Sequence, residues 1–171
     1  MKLIFTRSKT PFSWLIRWGL STDVSHFALV FNSPAGGLMF ESNLLGTHPR
    51  FYKTAQKHMT IVNEFDITMD VKDEDKIWDE VVDKYDGKGY DFPGFIYFCW
   101  RGFLLKFFNL PLPKKNAFAK PGMYLCISLF EIMKCHIPPV LRDRISELDL
   151  EMTPPNVIRD LIIDFKLEGN K

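Results

Sequence analysis

Cysteine is scarce in this chain of 171 residues, and its spacing excludes two common uses of the residue. The three cysteines, Cys99, Cys126 and Cys135, form no Cys-x-x-Cys pair or other metal-ligand spacing. Their odd number favours free thiols in a reducing compartment, because disulfide frameworks use cysteines in pairs. The N-terminal residues also contain too few apolar side chains for a secretory signal. We therefore expect no metal, no cofactor and a cytoplasmic location.

An excess of one charge is also missing. The net charge is +1, which gives no overall electrostatic reason to bind nucleic acid. Hydrophobic residues make up 46% and charged residues 25%, a composition typical of a globular protein. The chain has no internal repeat and no low-complexity linker, so we expect one domain over residues 1–171.

A long uncharged hydrophobic run is absent as well. The most apolar stretch, "FPGFIYFCWRGFLLKFFNLPLP" at residues 92–113, is interrupted by Arg101 and Lys106. Charges in the middle of a segment oppose its insertion across a bilayer. We interpret the stretch as an apolar insertion that forms a buried helix or a cover over the core. The alternatives are contact of Phe92–Phe108 with a membrane surface or a wall for an apolar substrate.

Strand and helix patterns are mixed without a regular βαβ alternation, which predicts an α+β fold with a mainly antiparallel sheet packed with helices. Strand patterns occur at residues 2–7, 25–31, 38–42, 59–67 and 162–167. Helix patterns occur at residues 10–20, 72–85, 124–137 and 153–161. We expect a turn at "NSPAGG" (32–37), irregular chain over 43–57 and a loop at "GKGYD" (87–91).

Cys126 lies near the start of the predicted helix "YLCISLFEIMKCHI", just after a Pro-Gly break. Backbone N–H groups are unpaired at a helix start and the helix dipole is positive there, which favours a thiolate. Cys135 lies at the opposite end of this helix, and Cys99 lies in the apolar stretch. Cys126 is therefore the best candidate nucleophile, and the alternative is a buried structural thiol.

A candidate base is His26, which lies in the strand "SHFALVF". If "NSPAGG" closes a hairpin, Phe31 lies opposite Leu38, and the same register puts Glu41 on the face of His26. A carboxylate beside an imidazole fixes its tautomer and stabilises its charged form. The alternatives are a half-exposed histidine on an edge strand and a solvent-facing glutamate.

The order of these motifs resembles a known family. Five motifs, in this order, are similar to those of the circularly permuted papain-like, NlpC-type hydrolases, in particular the YiiX/YaeF-like group. They are the strand "SHFALVF", then "FES", "GKGYD", "YLCISLF" and "TPPNVIRDL". The resemblance covers the chain from about residue 4 to about residue 160. It implies that Cys126 is the nucleophile, His26 the base and Glu41 its orienting group, with Tyr90 and Ser25 adjacent to the site.

The resemblance also implies a reaction, which is cleavage of an amide or ester through an acyl-enzyme. The substrate would be a peptide, a peptidoglycan stem or a lipid-linked acyl group. One departure is Ile127, because the family often has a small polar residue after its cysteine. The alternatives are a lipid-directed thiol acyltransferase or hydrolase, helped by the basic residues Lys106, Lys114, Lys115 and Lys120, and a non-catalytic binding module that keeps the fold. Such a short chain suits a phage or mobile-element protein acting in a bacterial host.

The sequence generates a prediction about thiol reactivity. Iodoacetamide at neutral pH should label Cys126 faster than Cys99 or Cys135, because the thiolate is the reactive form. His26→Ala should slow labelling of Cys126, as followed by mass mapping of the three cysteine peptides. Equal rates at all three cysteines would show that Cys126 is an ordinary thiol.

Overall fold

A five-stranded antiparallel sheet forms the centre of the computed structural model, which describes residues 1–32, 37–111, 113, 115–150 and 152–168. The strands are β1 (Lys2–Ser8), β2 (His26–Phe31), β3 (Leu38–Asn43), β4 (Gly46–Phe51) and β5 (Met59–Asp66). Their order across the sheet is β4-β3-β2-β1-β5. The predicted α+β class with an antiparallel sheet is confirmed.

Helices pack around this sheet. They are α1 (Pro11–Leu20), α2 (Tyr52–Ala55), α3 (Val71–Tyr85), α4 (Phe92–Phe108), α5 (Phe130–Met133), α6 (Pro139–Ser146) and α7 (Pro155–Glu168). Short 3₁₀ segments at Cys126–Leu129 and Lys134–His136 flank α5 and make one continuous helical run with it. The two short strands β6 (Gly89–Tyr90) and β7 (Met123–Tyr124) pair in parallel, apart from the main sheet.

The middle strand β2 is covered on both faces. Phe27, Leu29 and Phe31 belong to the main hydrophobic core, whereas Ala28 and Val30 belong to a smaller cluster on the other face. All five side chains are at most 4% exposed. Burial of this extent fixes β2 firmly, so its first residue, His26, projects from a rigid support.

The predicted hairpin register is confirmed. Phe31 pairs with Leu38 and Ala28 pairs with Glu41 along the β2–β3 ladder. Of the predicted turn "NSPAGG", residues 33–36 lie outside the described residues. Because strand side chains alternate between faces, His26 and Glu41 lie on the same face, diagonal to one another.

Two predicted element types are wrong. Residues 43–57 are not irregular, since they contain β4 and α2. Residues 162–167 are not a strand, because α7 continues through them to Glu168. Ile158 and Ile162, four residues apart, are buried on one face of that helix, and this helical spacing outweighs the short alternation of apolar and polar residues that follows.

Two predicted boundaries also change. The helical run of Cys126 begins at Cys126 itself rather than at Tyr124, since Tyr124 lies in β7. The loop "GKGYD" contains β6, whose Tyr90 pairs with Tyr124. Because β6 pairs with β7, the residues of the "GKGYD" loop lie next to the start of the helical run.

The apolar stretch forms α4 and packs against α1. Gly102 of α4 closely approaches Leu20 and the carbonyl of Gly19, which lets the two helices touch. Phe95 and Phe98 are buried, but much of the outer face of α4 is exposed, so the helix is a cover rather than a buried core helix. No helix in the described part of the chain is both long and apolar enough to cross a membrane.

Candidate active site

His26 and Glu41 form the predicted pair. Nε2 of His26 lies 2.9 Å from Oε2 of Glu41. The side chain of Glu41 is 3% exposed and that of His26 is 17% exposed. The carboxylate is therefore almost fully buried, while the ring keeps an edge towards the cavity described below.

Three donors surround the Glu41 carboxylate. Arg50 on β4 donates from Nη1 to Oε1 over 2.8 Å, and the side-chain amide of Asn43 donates to the same oxygen over 3.0 Å. Burial raises the pKa of Glu41, but the hydrogen bonds and charges of His26 and Arg50 outweigh it and lower the pKa to about 2. Glu41 is therefore ionised at neutral pH and can hold His26 in its charged form.

Cys126 reaches the same histidine from the helical side. The turn at Cys126–Leu129 packs against β2, and Phe130 just after it contacts Phe27 with ring centroids 5.4 Å apart. The side chain of Cys126 interacts with the ring of His26. Since Glu41 holds Nε2, Nδ1 is the ring nitrogen left to meet the thiol.

The charge state of His26 follows from its two partners. Burial lowers its pKa, but hydrogen bonding with Cys126 and with Glu41, together with their negative charges, raises the pKa to about 10. The ring of His26 is therefore charged at neutral pH, next to the side chain of Cys126.

Hydrogen bonds from strand β3 and helix α3 hold the start of the helical run in place. The hydroxyl of Ser42 donates to the carbonyl of Tyr124 over 2.8 Å, which ties β3 to the residues before Cys126. The hydroxyl of Tyr85 donates to the carbonyl of Ser128 over 3.2 Å. These bonds hold Cys126 against the strand that carries Glu41.

Tyr90 and Ser25, the two site-adjacent predictions, both border the same cavity as Cys126. Burial raises the pKa of Tyr90 well above its usual range, so its hydroxyl remains a hydrogen-bond donor. The hydroxyl of Ser25 lies 2.6 Å from that of Ser13, so it is occupied by a structural contact.

The cavity in front of Cys126 measures about 320 Å³. Helices α1 and α4 supply much of its apolar wall through Phe12, Ile16, Phe95 and Phe98. Ile127, the residue that departs from the family pattern, is 2% exposed and packs in the main core while bordering this cavity. The cavity thus suits a substrate with an apolar part.

The other two cysteines lie elsewhere. Burial of Cys99 within α4 raises the pKa of its thiol to about 12, which keeps it protonated. Cys135 is exposed at the far end of the helical run. Within the described part of the chain, no cluster of three or more His, Cys, Asp or Glu side chains is arranged to hold a metal ion.

The sequence interpretation missed Arg50 and Asn43. Strand β4 was not predicted because Pro49 interrupts its strand pattern. Proline is nevertheless tolerated there, since β4 is an edge strand. With β4 recognised, parity alone would have put Arg50 on the face of Glu41, because His48 is the direct partner of Glu41 and Arg50 lies two residues further.

The buried Glu41 carboxylate generates a prediction about acid stability. A carboxyl whose pKa falls from 4.5 to about 2 on folding stabilises the protein above pH 4.5 and loses that contribution as the pH falls through 2. Glu41→Gln should therefore lower the free energy of unfolding by ~3 kcal/mol at pH 7 and by less at pH 3. Urea unfolding at both pH values measures the difference.

The control for this experiment is Glu80→Gln, on the exposed side of α3, which should change stability little at either pH. A deficit in Glu41→Gln that stays constant between pH 7 and pH 2 would contradict the ionised, hydrogen-bonded carboxylate.

Comparisons of the chain with protein-family models, with curated proteins and with solved structures found no match. Cys126, His26 and Glu41 line one cavity, and their arrangement is the evidence for a function.

Proposed function

We propose that the protein is a cysteine hydrolase that cleaves amide or ester bonds through an acyl-enzyme on Cys126. The observation that carries the proposal is the continuous series from Cys126 to His26 to the buried Glu41, with the thiol bordering a cavity. A nucleophile, a base and a third group that orients the base are the elements of activated nucleophilic catalysis.

The chain order of these residues also supports a permuted papain-like fold. The histidine strand β2 and the carboxylate strand β3 precede the helical run that Cys126 opens. That order is the one expected from the resemblance to NlpC-type, YiiX/YaeF-like hydrolases. The sheet, which is antiparallel throughout, is compatible with such a fold.

In the first half-reaction, the Cys126 thiolate attacks the substrate carbonyl carbon and the carbonyl electrons move to oxygen. Backbone N–H groups at the start of the helical run would stabilise the oxyanion, and the Tyr90 hydroxyl would be a further donor at the cavity. The carbon–nitrogen or carbon–oxygen bond then breaks, and His26 gives its proton to the leaving amine or alcohol.

In the second half-reaction, neutral His26 takes a proton from water, and the resulting hydroxide attacks the thioester. Collapse of this intermediate releases the acid and restores the thiolate, while His26 keeps the proton. Glu41 stays ionised throughout, with its pKa held at about 2 by His26 and Arg50, despite the opposing effect of burial. Its role is to orient the ring and stabilise its charge.

The proposal predicts a trapped acyl-enzyme. After a short incubation with 4-nitrophenyl butyrate and an acid quench, intact-mass measurement should find one butyryl group on the protein, on the Cys126 peptide. Cys126→Ala should gain none, and His26→Ala should acylate on the order of 10²-fold more slowly, since positioned proton transfer contributes at least that much.

Cys135→Ala is the matched control, because Cys135 is exposed at the opposite end of the helical run that begins at Cys126, and it should acylate like the wild type. A panel of ester, amide and peptide probes that never modifies Cys126 in a folded protein would contradict the hydrolase and favour a binding module.

A further inference from the structure

We propose that helices α1 and α4 together form a docking face for an anionic lipid bilayer, and that an acyl chain of a lipid in that bilayer is the substrate part entering the cavity. The docking face consists of the exposed residues of α1, of α4 and of the described positions 109–111, 113 and 115–122 that follow α4. The docking step stands independently, whereas the substrate step rests on the hydrolase proposed above.

Large exposed hydrophobic side chains concentrate on this face. Ten of the sixteen such side chains in the described residues lie between positions 12 and 15 or between 92 and 118. Trp14, Trp100 and Phe107 are among them, at 58%, 55% and 54% exposed. Contiguous apolar surface of this kind marks an interaction site, and tryptophan is the residue enriched at membrane surfaces.

The aromatic rings are continuous across the two helices. Trp14 stacks on Trp18 with centroids 5.9 Å apart, and Trp18 contacts Phe107 of α4 at 5.6 Å. Phe107 in turn contacts Phe103 at 4.6 Å. The rings therefore form one surface rather than scattered exposed residues, which suits a broad partner such as a bilayer.

The charges identify the partner. Residues 11–20 and 92–122 contain six Lys and Arg residues and no Asp or Glu, while the rest of the chain contains 16 basic and 21 acidic residues. The ammonium of Lys106 lies 4.7 Å from the ring centre of Trp18, and Arg17 directly precedes Trp18 on α1. Cations next to tryptophan match anionic headgroups above an apolar layer. A second copy would bring like charges together, so it fits this face less well.

The docking face leads into the cavity. Phe12 is 37% exposed on the docking face and also lines the cavity in front of Cys126. Ile16, Phe95 and Phe98 of the same two helices line its interior. On another side the cavity is bordered by Leu45, which is 90% exposed. An acyl chain lifted from the bilayer can thus pass from apolar surface to apolar cavity without crossing water.

Vesicle flotation tests the docking face. Wild-type protein should float with vesicles of phosphatidylcholine and phosphatidylglycerol at 3:1, and 0.5 M salt or pure phosphatidylcholine should weaken binding at least tenfold. The triple variant Trp14→Ser/Trp100→Ser/Phe107→Ser should lose at least tenfold in the bound fraction. The control Val71→Ser/Val140→Ser/Leu167→Ser removes side chains that are 75%, 55% and 60% exposed on other helices, and it should bind like the wild type.

Three results would overturn the docking face. The first is no flotation of the wild type at either composition, and the second is equal loss in the two triple variants. The third is a dimer in light scattering that the aromatic triple variant converts to monomer, since a second copy would then cover the face. Iodoacetamide labelling of Cys126 at the wild-type rate in the aromatic variant shows that its fold is intact.

The substrate step has a separate readout. Wild-type protein should release fatty acid from phosphatidylglycerol in the vesicles, and Cys126→Ala should bind the vesicles equally well without releasing any. Binding without Cys126-dependent release would overturn the lipid substrate and leave the docking face standing. Acylation of Cys126 by soluble esters without vesicle binding would overturn the docking face and leave the hydrolase standing.

Discussion

The hydrogen bond between His26 and Glu41 is the interaction on which the candidate site depends. A carboxylate that is 3% exposed has lost most of its hydration, so it remains charged only because His26, Arg50 and Asn43 replace the water. In return, the carboxylate fixes the ring and favours its charged form. Loss of this one bond would leave a ring free to turn and a thiol with no oriented partner.

The rest of the fold places a thiol next to that pair. Strand β2 is buried on both faces, so His26 cannot move far, and Ser42 binds the backbone just before Cys126. The short parallel pair of β6 and β7 then brings Tyr90 to the same cavity. Each support is a contact between segments far apart in sequence, which makes the geometry of the site a property of the whole fold.

The sequence could predict contacts between residues that are close along the chain, but not contacts between residues that are far apart. The shared face of His26 and Glu41 could be predicted because a hairpin register depends on neighbouring residues and on a period of two. The approach of Cys126 to His26 spans a hundred positions, and no local pattern encodes it, so only the family resemblance suggested it. Arg50 was missed because Pro49 conceals an edge strand, and residues 162–167 were misassigned because a brief alternation resembles a strand inside a helix.

Glu41 and Cys126 together hold the His26 ring in its charged form, and a nitrogen-15 NMR titration of that ring measures this property. In the wild type the ring should stay charged well above the ordinary histidine pKa of 6.5 and lose its proton near a pKa of about 10. In Cys126→Ala the pKa of His26 should fall, because the side chain of Cys126 contributes to the shift alongside Glu41. A wild-type ring that titrates near 6.5, or a pKa that is unchanged without the thiol, would contradict this role of the two side chains.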